Sequence, residues 1–315
     1  MLDIGSGHRN FPMECVMDIR SRLASDIEGL LHQVEPPSRR NFFLSASAAA
    51  AAGYTLAAGP VRADATHTDT DQLSAGDAKV KVADGEMPVY YARPLNAQNP
   101  PVILVAMEIF GLHEYIKDVV RRLGKLGAFA VAPDYYFCLG EDLPKITDFA
   151  KLMPLVNKKP DSELFSDLDA TVAWAKSQGG NTSRLGIIGF CRGGRTVWEY
   201  AANNASLKAA VAFYGSLVDP EAQKPLWPKS AIARASEMKA PVLGLYGEAD
   251  QGIPLSQVED MKSALRSAGK IFEIKVYPGA PHGFHADYRA SYRREAAEDA
   301  WQQMIAWFKK YGVLT

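Results

Sequence analysis

Residues 185–194, Leu-Gly-Ile-Ile-Gly-Phe-Cys-Arg-Gly-Gly, constrain the fold more than any other stretch of this chain. A short apolar run with no polar member is typical of a strand buried on both faces. It ends at Cys191, with glycines at 189, 193 and 194, and helix-compatible sequence follows to about Asn203. Strand, sharp turn and helix in that order put the cysteine in a strained backbone whose neighbours must be small. Glycines at 189 and 193 meet that steric demand. The following helix starts beneath Cys191, where its N-terminal dipole favours a thiolate.

The remainder alternates in the way such a turn requires. Ala78–Ala83 and Met87–Arg93 read as a hairpin turning at Asp84-Gly85. Pro101–Met107 is a continuous apolar strand, and Ile116, Val119, Val120 and Leu123 then fall at helical spacing. Further strands are expected at Ala128–Ala132, Arg184–Gly189, Lys208–Tyr214, Pro241–Tyr246 and Ile271–Tyr277. Helices are expected around Phe165–Ala175, Leu255–Ser267 and Ala297–Phe308, and Tyr135–Pro160 reads as an irregular cap. Strands alternating with helices imply βαβ units, hence a mostly parallel central sheet with helices on both faces. Sites in such sheets lie at the carboxyl ends of the strands.

Those strand ends carry a candidate triad. G-x-C-x-G is the nucleophile elbow of the α/β-hydrolase fold with cysteine in place of serine, and the chain order there is nucleophile, acid, histidine. Asp250 follows the strand Pro241–Tyr246 and is the candidate acid, with Asp219 as rival. His282 follows the next strand and turn and is the candidate base; His285, read as a surface histidine, competes with it. His113 precedes the nucleophile and is set aside. The Arg192 N–H supplies half of an oxyanion hole. Glu108, at a strand end with no partner nearby in sequence, is either functional or paired with an arginine.

Four ordered motifs, Glu108-Ile109-Phe110-Gly111, Gly-Phe-Cys-Arg-Gly-Gly, the Asp250 turn and Pro-His-Gly-Phe, resemble the dienelactone hydrolase (carboxymethylenebutenolidase) family over roughly residues 78–312. The resemblance implies a Cys191–His282–Asp250 triad and an ester, lactone or thioester as small-molecule substrate. It further implies that Glu108 accepts the thiol proton when substrate binds and that the Ile109 N–H is the second oxyanion donor. No metal or organic cofactor is required. The family holds a substrate carboxylate with two arginines. One of those places is Ala286 here, and residues 135–168 offer only Lys145, Lys151, Lys158 and Lys159. With Arg192 and Arg195 as the remaining candidates, the clamp is expected to be absent or rebuilt, and neutral aryl esters to be cleaved at least as well as a carboxylate-bearing dienelactone.

Residues 1–63 differ in composition. Arg39 and Arg40 precede an uncharged, alanine-rich run from Asn41 to Val61, and Val61-Arg62-Ala63 offers a small-residue cleavage site. Charged, apolar and small-residue regions in sequence resemble a twin-arginine (Tat) export signal, with Met17 as an alternative start. The partner implied is the Tat machinery, the location periplasmic or secreted, and no membrane span remains after cleavage. The weak hydrophobicity of the run disfavours a permanent anchor. Residues 64–77 read as a loose linker and 78–315 as the catalytic domain, expected to be monomeric.

The chain has 35 basic and 36 acidic residues, so it lacks the basic surplus of nucleic-acid binders. The three cysteines, Cys15, Cys138 and Cys191, make no disulfide framework. Competing readings are a peptidase or acyltransferase on the same fold and a non-catalytic periplasmic binding module.

Overall fold

The computed structural model describes residues 65–315, Thr147 excepted. The export signal with Arg39 and Arg40, the alternative start Met17 and Cys15 lie outside the described residues. The strands are β1 (Leu73–Val82), β2 (Gly85–Pro94), β3 (Pro101–Ala106), β4 (Phe129–Pro133), β5 (Asn181–Phe190), β6 (Leu207–Phe213), β7 (Val242–Gly247) and β8 (Phe272–Tyr277). The helices are α1 (Glu114–Lys125), α2 (Phe149–Val156), α3 (Asp161–Ser177), α4 (Arg192–Asn203), α5 (Leu255–Ser267) and α6 (Arg294–Lys310).

One eight-stranded sheet runs in the order β1-β2-β4-β3-β5-β6-β7-β8. Pairing is antiparallel between β1 and β2 and between β2 and β4, and parallel from β4 onward. Every side chain of β3, β4 and β7 is buried, as continuous apolar runs require when helices cover both faces. This is the α/β-hydrolase architecture expected from the elbow.

Two expectations need correction. The segment read as a loose linker already contains the first five residues of a strand: β1 begins at Leu73, opposite Pro94, rather than at Ala78. Before it, the Thr68 carbonyl accepts from Arg121 Nε at 2.7 Å and the Asp71 carbonyl from Lys125 at 2.6 Å, so this stretch is tied to α1. As an edge strand with mostly part-exposed side chains, β1 lacks a clear apolar period. The hairpin also turns one residue earlier than read: Val82 pairs with Gly85, leaving Ala83-Asp84 at the turn. Within the irregular cap, two 3₁₀ turns (Phe137–Leu139 and Leu143–Lys145) are followed by α2, whose Asp148 cap accepts from the Ala150 N–H at 2.9 Å.

The centre of the molecule is the seating of α4 on the sheet. Cys191 has φ 56° and ψ −116°, and α4 starts at the next residue. A Cβ at Gly189 would lie 2.2 Å from the Gly193 carbonyl oxygen, and one at Gly193 only 2.0 Å from that of Ala106. On the other side, a Cβ at Gly215 would fall 2.2 Å from the Gly194 carbonyl carbon. Helix and strand ends therefore meet backbone to backbone, and no side chain fits between them. Gly215→Ala is expected to force these backbones apart and destabilise the protein by about 3 kcal/mol, the upper end for overpacking. Urea unfolding of the purified variant measures it, and a change below about 1 kcal/mol would contradict so tight a contact.

Candidate active site

Three residues singled out by sequence come together at the carboxyl ends of β5, β7 and β8. Cys191 crowns the elbow. Asp250 lies in the turn after β7, where one carboxylate oxygen accepts the N–H groups of Gly252 (2.9 Å) and Ile253 (3.2 Å). Its other oxygen lies 2.7 Å from His282 Nδ1. Cys191 is the other polar partner of the His282 ring, and Tyr214 packs edge-on against that ring at 5.0 Å between centroids. Burial disfavours the imidazolium, but the Asp250 carboxylate, the negative charge available at Cys191 and hydrogen bonds to both outweigh it. His282 is thereby raised well above an ordinary histidine. The rival acid Asp219 is not at this place. It clasps Arg195, its two carboxylate oxygens accepting from Nε at 2.7 Å and Nη2 at 2.6 Å.

Glu108, at the end of β3, is only 2% exposed. Its Oε2 accepts from the Tyr288 hydroxyl at 2.9 Å and lies 3.2 Å from His113 Nε2. Burial would raise its pKa, yet the His113 bond, the Arg289 charge and the Tyr288 bond prevail and hold it below the usual carboxylate value. The first turn of α4, which starts at Arg192, abuts through Gly193 the Ala106 and Met107 carbonyls that lead to Ile109.

His285 is a correction. It is buried, not superficial; Nδ1 lies 2.7 Å from the Tyr115 hydroxyl, and the ring packs on Phe190 and Trp301. Sequence reasoning missed His113, Tyr288 and Arg289. The five-residue spacing of Glu108 and His113 on one strand-end loop was the available signal; Tyr288 and Arg289 had none local to the site.

Five buried cations sort into two groups. Arg121 is met by Glu114 and Asp118, Lys159 by Asp167 at 2.8 Å, and Arg195 by Asp161 and Asp219. Arg195 therefore does not face solvent. Arg192 and Arg289 have no carboxylate within ion-pair distance among the described residues, and the Nε of each lacks a hydrogen-bond partner there. Arg192 lies 3.5 Å above the Trp227 ring, and Arg289 lies 4.2 Å from the Phe110 ring and 4.3 Å from that of Tyr288. Ala286 is fully buried, and Lys145, Lys151 and Lys158 are exposed. Cys138 and Cys191 are free thiols. Among the described residues no helix is long and apolar enough to cross a membrane, and no cluster of His, Cys, Asp and Glu could hold a metal ion.

A model of the dienelactone hydrolase family matches residues 87–312. A protein of Methylorubrum extorquens carrying the name carboxymethylenebutenolidase is 51% identical over 266 residues, covering 84% of this chain and 90% of its own. An Escherichia coli protein of the same name is 45% identical over 266 residues, covering 82% and 96%. A solved Klebsiella pneumoniae structure named for dienelactone hydrolase superposes with a TM-score of 0.73 at 47% identity, covering 76% of this chain and 99% of that one.

His285 sets a pH dependence. Burial holds its pKa at about 3 against 6.5 for a free imidazole, so the unfolded chain takes up a proton that the folded one refuses. Its contribution is present above pH 6.5 and is lost as pH falls, at about 1.4 kcal/mol per unit down to about 3. Urea unfolding at pH 6.5 and pH 5 is therefore expected to show about 2 kcal/mol more acid loss in the native protein than in His285→Asn. Equal losses in both would show that His285 takes up its proton without unfolding.

Proposed function

The chain belongs to the dienelactone hydrolase family and is a hydrolase, and from that premise we propose that it cleaves an ester, lactone or thioester through a cysteine acyl-enzyme. The observation that carries this reading is His282, held by Asp250 at 2.7 Å and facing a cysteine on a strained elbow. His282 takes the Cys191 thiol proton and becomes imidazolium as Sγ attacks the substrate carbonyl carbon, and the negative charge moves to the carbonyl oxygen. The N–H groups of Ile109 and Arg192 receive that charge. As the tetrahedral species collapses, the bond to the leaving oxygen or sulfur breaks and the leaving group takes a proton from the His282 imidazolium. Water, giving its proton to the now neutral His282, attacks the thioester, and the carboxylic product leaves with Cys191 regenerated. Asp250 keeps the imidazole in the tautomer and orientation this cycle needs.

Cys191→Ala is expected to lower kcat/KM for 4-nitrophenyl acetate by at least about a hundredfold with the fold intact, because nucleophile and base work as a unit. Near-normal turnover in that variant would sink the mechanism. A peptidase or acyltransferase would instead pass the acyl group from or to an amine, and a binding module would neither label at Cys191 nor turn over.

The substrate reading departs from what the family positions suggested. A buried cation without a counter-ion is unfavourable until an anion reaches it. Arg192, without a carboxylate partner, adjoins the nucleophile, and Arg289, whose charge acts on Glu108 but whose Nε has no hydrogen-bond partner, adjoins Phe110, so the favoured substrate carries a carboxylate. A dienelactone with a free carboxylate should be preferred over 4-nitrophenyl acetate. In Arg192→Met or Arg289→Met that preference should fall about tenfold or more, from loss of one charge-assisted contact. An unchanged ratio of kcat/KM values in both variants would remove the anion from the proposal.

For the segment before the domain, the twin arginines and uncharged run support export by the Tat route to the periplasm or beyond. Replacing Arg39 and Arg40 with lysine keeps the charge but not the guanidinium geometry, and should leave the precursor in the cytoplasm. Fractionation showing unchanged export would point to another route.

A further inference from the structure

The loop between β3 and α1, residues 107–113, carries a second histidine–carboxylate pair beside the first. His113 Nε2 and the Tyr288 hydroxyl converge on the same oxygen, Oε2 of Glu108, at 3.2 Å and 2.9 Å. The His113 ring is boxed by Phe110, Tyr115 and Tyr288, with centroids 6.2, 6.0 and 5.3 Å away. Its carbonyl accepts the Lys117 N–H at 3.1 Å, which fixes it as the first residue of the helical turn. A carboxylate taken by two donors, with an arginine nearby, is a weak proton acceptor. The question is then what a buried, fully engaged glutamate does at this place.

We propose that His113, acting with Tyr288 through the Glu108 carboxylate, is a positioning residue that fixes the peptide between Glu108 and Ile109 and so aims the Ile109 N–H into the oxyanion site. The inference rests on the acyl-enzyme reading above. On one side the loop is held by the α4 seating, since Gly193 leaves room for nothing between itself and the Met107 carbonyl oxygen. On the other, Gly111 takes φ +76° with the cap residues Leu143 and Pro144 pressed against it. Ile109 is itself anchored by burial. Rotation about the Glu108 backbone is the freedom left, and it would swing the N–H of the next residue. Two hydrogen bonds to the Glu108 side chain oppose that rotation. Oxyanion donors act by being aimed before charge develops, so a small misdirection weakens the transition state and leaves ground-state binding untouched.

The experiment compares His113→Ala, His113→Gln and Tyr288→Phe in the full chain, using two reactions of Cys191. Hydrolysis of 4-nitrophenyl acetate passes through an oxyanion; alkylation by iodoacetamide is a displacement at carbon that forms none. In His113→Ala and Tyr288→Phe, kcat should fall about tenfold, less than the ~10²–10³ for losing a donor outright, with KM and the alkylation rate within about twofold. His113→Gln, which can place an amide N–H near the Nε2 position, should recover most of the loss. Alkylation falling in step with hydrolysis would overturn the proposal, because His113 would then act on the thiol. Unchanged kcat would overturn it too. Cys191→Ala run alongside separates the two readings: an active Cys191→Ala condemns the acyl-enzyme, whereas an inactive one with a normal His113→Ala condemns only the positioning role. Tyr288→Phe and His113→Gln are close in shape to the native residues, so the comparison survives if His113→Ala folds poorly.

Discussion

The first turn of α4 meets the sheet backbone to backbone, and the site is a consequence of that contact. Every residue from Arg192 to Ala202 is buried, so the helix is a central element and not a surface cover. Its first turn meets β3 through Gly193 and the end of β6 through Gly194 and Gly215. Where helix and strand ends approach this closely, the chain has no room for a gradual turn, and Cys191 must take a positive φ. Tyr214, at the end of the neighbouring strand, does the same with φ 38°. Two non-glycine residues at positive φ, at the ends of adjacent strands, both face His282. The strain is held by a fully buried core, which is the circumstance in which such conformations persist.

Charge is managed around this centre in two different ways. Beneath the elbow, Arg195 is neutralised by Asp161 and Asp219, and Glu199, fully buried beside Arg195 and Arg234, is pushed up to about 7 by burial. At the level of the thiol, the guanidiniums of Arg192 and Arg289 rest on aromatic rings instead of carboxylates. A ring face attracts a cation but does not cancel its charge. The contrast with Arg195 is sharpest at Arg192, whereas the Arg289 charge also helps keep the buried Glu108 carboxylate ionised.

The grouping of Cys191, Asp250 and His282 was legible because each is announced by its own strand: Cys191 by β5 and its glycines, Asp250 by β7, His282 by β8. Strand ends are local features, and in a parallel sheet local ends are neighbours in space. The supporting residues were not legible for the opposite reason. Glu108 and Tyr288 are joined by a hydrogen bond across a separation of 180 residues, and nothing in the sequence around Tyr288 distinguishes it from other tyrosines. His285 read as superficial because its neighbourhood is polar, whereas Phe190 and Trp301, which bury it, come from β5 and α6. Of the two candidate arginines, Arg192 stacks on Trp227 and Arg195 is neutralised by Asp161 and Asp219, whereas Arg289 was not among them. β1 was half hidden because an edge strand need not alternate.

One short segment carries much of what remained hidden. Residues 282–293 supply His282, then the buried His285, then Tyr288 and Arg289 at the Glu108 loop, and Ser291, whose hydroxyl donates to the Gly283 carbonyl at 3.1 Å and closes the segment on itself. The Ala286 N–H to Gly283 and Arg289 N–H to Ala286 bonds, each 3.0 Å, make it a succession of tight turns. Asp287 adds an ion pair to Arg122 of α1 at 2.6 Å. A base placed on such a segment cannot shift without moving the groups that face Glu108 and any anion bound near Arg289. Binding a substrate carboxylate there would therefore press on the same segment that orients His282. This gives a physical route by which binding energy at a remote end of the substrate can serve the reacting centre, as efficient catalysis requires.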